Sequence, residues 1–175
     1  MSPTHSNGVK LFYSYAHEDD VLRKELDKQL TILRRAGIIE SWHDRNIDAG
    51  SDWQGAIDAH LESADVVLLL ISPDFIASHY CDYELTNAMK RRQRGESIVI
   101  PVILRPVIWE MASFSRLQAL PTDGVPVTNW PMGRDAAFKN IAEGIAKVAN
   151  KIFAKRRAVL EATPKPAVYL AETHS

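Results

Sequence analysis

The chain has 175 residues, 46% of them hydrophobic and 25% charged, enough to bury one substantial core and typical of a globular chain of about one domain. Its 21 Lys and Arg oppose 22 Asp and Glu, a formal charge of -1, so no basic field recruits nucleic acid and no nucleic-acid partner is expected. The lone cysteine, Cys81, excludes an internal disulfide and a cysteine cluster for a metal, and it fits a reducing, cytoplasmic compartment.

The opening residues, MSPTHSNGVK, lack the basic-then-apolar pattern of a secretory signal. The longest apolar runs, VVLLLI and IVIPVIL, are too short or too broken to span a bilayer, so no membrane association is expected. Residues 1–8 read as a flexible N-terminus. The apolar and aromatic run VKLFYSY, residues 9–15, predicts a buried strand. A helix over 18–36 follows, with Leu22, Leu26, Leu30 and Leu33 at helical spacing, Asp19 and Asp20 in its first turn and Gly37 as its stop. IIESWHD is a second, shorter strand and RNIDAG a loop. Ser51 with Gln54 three positions on resembles a capping box and starts a helix that carries Trp53, Ile57 and Leu61.

DVVLLLIS is apolar throughout, which suits a central parallel strand covered on both faces, and Pro73 stops it. Residues 80–94 then form a helix whose buried face is Cys81, Leu85, Ala88 and Met89. Tyr80, Glu84, Asn87 and Arg91 line the adjoining flank, which puts Glu84 at the rim of the core. The run KRRQR that ends this helix reads as a solvated terminus favoured by the macrodipole. ESIVIPVILRP repeats the central-strand pattern, with Pro101 pointing to an edge or a bulge. VPVTNW, residues 125–130, predicts a fifth short strand. The last helix runs from Asp135 to about Lys155, and residues 156–175, with Pro164 and Pro166, read as a linker or C-terminal tail.

Alternating strands and helices predict an α/β fold with a parallel sheet and right-handed crossovers. A five-stranded, flavodoxin-like order 2-1-3-4-5 is the economical topology, with helices on both faces. Its ligand crevice lies at the carboxyl ends of strands 1 and 3. Several nucleotide chemistries are excluded. No GxGxxG is present, and Gly50 and Gly55 have P-loop spacing but continue into Ala-Ile where Lys and Ser or Thr are required. A phospho-acceptor receiver would need an Asp ending strand 3, where Ser72 stands.

The combination of LFYSYAHEDD, WHDRNIDAGSDW, ADVVLLLISPDFIASHYCDYEL and VIPVIL, in that order, resembles a Toll/interleukin-1 receptor (TIR) domain of the bacterial immune and signalling type, over roughly residues 9–152. Some members of that family cleave NAD at the nicotinamide glycosidic bond, giving nicotinamide and ADP-ribose or a cyclic isomer, and others are non-catalytic scaffolds. The resemblance implies that Glu84 is the catalytic carboxylate, in an aromatic-x-x-x-Glu arrangement with Tyr80. Its plainer reading is a rim carboxylate paired with Arg91 or Arg92.

By the same resemblance, Tyr15, Ala16, His17 and Tyr80 line the substrate cleft. Asp44 and Arg45 begin a loop that contacts substrate and a neighbouring subunit, and Asn46, Ile47, Asp48, Gly50 and Trp53 belong to that assembly loop. The bland alternatives are a solvated histidine, an exposed turn pair and ordinary helix packing for Trp53. The family has Trp more often than Tyr at position 80. NAD is implied as substrate, with no cofactor and no metal. The implied partners are further copies of the domain, up to a filament, and a sensor domain or separate partner protein. An adaptor without turnover, and an enzyme like the nucleoside deoxyribosyltransferases, are the competing readings.

Overall fold

The computed structural model describes residues 8–42 and 53–162, without the side chains of residues 42 and 53–56. Strands β1 (Val9–Ser14), β2 (Ile39–Trp42), β3 (Val66–Ile71) and β4 (Ile98–Ile103) form a parallel sheet in the order β2-β1-β3-β4. The pairing is in register along its length, with Leu11 opposite Val66 and Leu69 opposite Pro101. All six residues of β3 are buried, as an unbroken apolar run between two helix layers requires.

Helices α1 (Asp20–Gln29) and α6 (Arg134–Ala162) cover one face, where Leu26, Leu30, Phe138, Ile141 and Ile145 pack on Leu11, Leu68 and Leu70. On the other face, α3 (Trp53–Ser63) and α5 (His79–Gln93) cover Phe12, Val67 and Leu69 with Ile57, Leu61, Cys81 and Ala88. Two shorter helices, α2 (Thr31–Arg35) and α4 (Pro73–Ala77), complete the set. Among the described residues no helix is long and apolar enough to cross a membrane.

Several expectations are corrected. The fifth strand is not seen: residues 127–129 form a 3-10 turn after Pro126. What pairs with β4 instead is Leu120 alone, which donates to the Pro101 carbonyl at 2.9 Å and accepts from the Ile103 N–H at 2.8 Å. Pro121 follows immediately and has no N–H to extend the ladder. Pro101 thus turns its donorless nitrogen to an edge where no regular strand needs it.

The helix expected over 18–36 is three pieces: a 3-10 turn at His17–Asp19, then α1 and α2. Between the helices, the Asp27 carbonyl accepts from Thr31 Oγ1 and Arg34 Nη2 rather than continuing a plain ladder, while Leu30 is wholly buried. Gly37, with φ of +74°, is the stop that was expected. Helix α6 reaches Ala162, seven residues past the expected end, and an Arg156–Asp65 ion pair at 2.8 Å ties that extension to the amino end of β3.

Arg91 corrects the reading of the basic helix end. Its side chain is buried, and its Nη1 donates to the Leu61 and Ala64 carbonyls at 2.7 and 2.8 Å, satisfying the carboxyl end of α3. Nη2 reaches the Glu96 carbonyl, and Nε lies 3.4 Å from the Glu96 carboxylate. Arg91→Met is expected to cost about 2–4 kcal/mol in urea unfolding, because it strands buried carbonyls. The same change at exposed Arg92 should cost less than about 0.5 kcal/mol.

Candidate functional site

Polar residues end the two central strands, and each is wholly buried. Ser14 is the last residue of β1, and its hydroxyl donates to Glu84 Oε1 at 2.6 Å. Ser72 directly follows β3 and caps α4, its Oγ accepting from the Phe75 N–H at 3.0 Å while donating to Asp19. A second cap follows one turn later, where Ser78 Oγ accepts from the Cys81 N–H and starts α5. These two short caps bend the chain so that the first turns of α5 face the carboxyl end of β1.

The result is a pocket of about 170 Å³. One wall is Tyr15, Ala16, His17 and Glu18, and the other is Ser78, Tyr80 and Glu84, with Phe12 and Tyr13 behind. Glu84 is 5% exposed, so it is buried rather than at the rim, yet it lines this pocket. Burying a carboxylate is unfavourable without donors, and the Ser14 hydroxyl is one that also fixes which way the carboxylate turns. Arg91, the plain partner considered for Glu84, has its guanidinium occupied at Leu61, Ala64 and Glu96.

Tyr15 is held in place from below. The Arg23 guanidinium lies 5.4 Å from its ring centroid, and its hydroxyl donates to Asp20 Oδ1 at 3.3 Å. Arg23 pairs with the same carboxylate at 3.0 Å and is itself buried. The structure therefore brings Tyr15, Ala16, His17, Tyr80 and Glu84 to one pocket. Asp44, Arg45, Asn46, Ile47, Asp48 and Gly50 lie outside the described residues, and Trp53 begins α3 with its side chain not described.

Sequence reasoning missed Ser14, Glu18, Ser78 and the buried role of Asp19. A signal existed for Ser14, a small polar residue closing a strand whose other residues toward its carboxyl end are apolar or aromatic. Ser72-Pro73 and Ser78 also carried ordinary cap signatures. Two wider grooves, of 690 and 710 Å³, lie at the opposite end of the strands beside Asp65 and Arg156, away from Glu84.

A family model described as TIR domain matches residues 11–138. An uncharacterized protein, y4lF, of Sinorhizobium fredii (strain NBRC 101917 / NGR234) is 50% identical over 143 residues, covering 81% of this chain and 44% of its own length. A 2′ cyclic ADP-D-ribose synthase, BtTIR, of Bacteroides thetaiotaomicron is 26% identical over 101 residues, covering 57% of this chain and 34% of its own length. The chain thus spans less than half the length of either relative. The solved TIR domain of the Toll-related receptor TRR-2 from Hydra magnipapillata superposes with a TM-score of 0.44 at 26% identity, over 55% of this chain and 71% of that one.

Cys81, on α5 one turn before Leu85, is buried under this site, and burial first, then the negative charge of Glu84, Asp19 and Glu18, pushes its thiol up to about 12. A thiol so raised stabilises the fold below its unfolded value of 9.0, and that contribution is lost as pH climbs toward 12. Iodoacetamide at pH 8 should leave Cys81 unmodified in the native protein and alkylate it fully in urea, as mass spectrometry will read.

Proposed function

The chain belongs to the TIR domain family, and from that premise we propose that it cleaves NAD at the nicotinamide glycosidic bond, with Glu84 as the catalytic carboxylate. The observation that carries this reading is a nearly buried glutamate, oriented by Ser14, on the wall of a small pocket with aromatic side chains on both sides. The relative from Bacteroides thetaiotaomicron, a 2′ cyclic ADP-D-ribose synthase, supports the same chemistry.

The pocket's size supports the reading too. At about 170 Å³ it is smaller than the roughly 300–1,000 Å³ of whole-ligand sites, and it suits one ring and part of a ribose rather than a dinucleotide. Nicotinamide in NAD carries a positive charge and leaves neutral. A general acid is therefore unnecessary, unlike in glycosidases, where a second carboxyl protonates a poor leaving group. What needs stabilising is the cationic ribosyl that develops as the bond breaks. A carboxylate already turned toward the pocket supplies that charge without reorganising, so it favours the transition state over the ground state.

Tyr15 and Tyr80 offer ring faces for the pyridinium, and Tyr15 is pre-set by Arg23 and Asp20. Whether water or a ribose hydroxyl of the same nucleotide then captures the ribosyl decides between linear and cyclic product. Self-assembly of the domain, through the loop that carries Asp44 and Arg45, completes the proposal. Its setting is cytoplasmic immune signalling of the anti-phage type, under a sensor domain or partner protein.

The test is nicotinamide release from NAD by concentrated protein with a crowding agent, comparing wild type with Glu84→Gln. Wild-type turnover that falls at least about 100-fold in the variant is the expected result. Assembled wild type that releases no nicotinamide would instead make the domain an adaptor.

A further inference from the structure

The two walls of the pocket are joined behind it by side chains that the proposed chemistry does not use. Asp19 closes the 3-10 turn that begins at His17, and its side chain is 1% exposed. Its N–H donates to the Ala16 carbonyl at 2.8 Å, so the turn is tight. One carboxylate oxygen of Asp19 accepts from Ser72 Oγ and the other from Arg105 Nε at 2.9 Å. Arg105 stands two residues past the end of β4, and its Nη2 donates to Asp74 in the first turn of α4. Helix α4 leads directly through Ser78 into the wall formed by Tyr80 and Glu84.

A single guanidinium thus grips both sides of the cleft. Asp19 carries the wall of Ala16, His17 and Glu18, and Asp74 carries the start of the wall that bears Glu84. Fold stability alone is a weak reason for this arrangement: the Arg105–Asp74 arm is 31% and 37% exposed, where an ion pair contributes little, and burying Asp19 carries a desolvation cost that offsets its pairing. What the pair supplies is direction. The planar guanidinium fork fixes both the distance and the angle between the groups it joins, which neither an apolar contact nor a lysine does.

We propose that Arg105, with Asp19 and Asp74, is a positioning residue that sets the width of the cleft in which Glu84 meets the ribosyl group, an inference that rests on the NAD-cleaving reading above. Catalysis by orientation is sensitive to misplacements of about 1 Å, which can cost on the order of 100-fold in rate. Substrate binding, shared with contacts outside this cleft, depends on it less.

Three variants test the clamp. Asp74→Asn takes the charge, and with it the stronger hydrogen bond, from the α4 arm alone, at a side chain 37% exposed, so it keeps the fold. Arg105→Lys keeps the charge but loses the planar fork that fixes the angle between the carboxylates, and Arg105→Met removes the clamp. In assembled protein, kcat for nicotinamide release should fall about 10- to 100-fold in Asp74→Asn and in Arg105→Met, with KM changing far less and Arg105→Lys in between. A kcat equal to wild type in folded Asp74→Asn would overturn the clamp.

Amide hydrogen exchange on the same proteins gives a reading independent of turnover. Faster exchange over residues 16–19 and 75–80 in Asp74→Asn and Arg105→Lys supports the clamp, and unchanged exchange overturns it. If wild type releases no nicotinamide, the NAD-cleaving reading fails and the exchange data still decide whether Arg105 holds the two walls together.

Discussion

Two buried hydroxyls at the carboxyl ends of the central strands are the constraint on which the site depends. Ser14 ends β1 and Ser72 follows β3, neither has any exposed surface, and each donates to a carboxylate that is itself buried. A hydroxyl and a carboxylate withdrawn from water are each unfavourable alone. Paired, they become stiff links between strand ends and the helices that follow. The sheet core delivers these serines to fixed places because β3 is paired on both sides, with β1 and β4, and any shift would draw the polar Ser72 into the apolar layers that bury every residue of the strand.

The same constraint separates the two ends of the sheet. At the amino ends, Lys10 and Asp65 meet backbone groups and the exposed Arg156 of α6, in wide grooves open to solvent. At the carboxyl ends the polar groups are enclosed, directional and mostly side chain to side chain. The carboxylate in the first setting, Asp65, is 25% exposed and shares its charge with an exposed arginine. Glu84 in the second is already oriented, and the aromatic rings around it restrict what else enters.

The sheet and most helices were legible because their signals are long: an apolar run for β3, leucine spacing for α1, a proline marking the edge in β4. The fifth strand was not, because VPVTNW has the composition of a strand but contains Pro126, which removes a ladder donor and starts a 3-10 turn instead. Glu84 and its neighbours at Tyr15, Ala16, His17 and Tyr80 could be read from a motif, whereas their supports could not. Ser14 meets Glu84 across 70 positions, Ser72 meets Asp19 across 53 and Arg105 meets Asp19 across 86, and no local pattern encodes a meeting at that range. Arg91 was misjudged for the same reason. Its partners, Leu61 and Ala64, belong to another helix and the turn after it, so local charge pattern alone suggested solvent.

The charge of the pocket constrains what must complete it. Among the described residues that line it there are two carboxylates, Glu18 and Glu84, one histidine and no Lys or Arg. Such a lining suits a pyridinium ring and a developing ribosyl cation, and it disfavours the diphosphate of a dinucleotide, which carries two negative charges. The 170 Å³ volume leads to the same division, since it accommodates the cationic end of NAD and leaves the anionic end outside. On the NAD-cleaving reading, the groups that neutralise the diphosphate must therefore come from beyond these two walls. Arg45, in the segment with Asp44 expected to reach substrate, is a cation of the right kind, and the same segment is the one expected to meet a neighbouring copy.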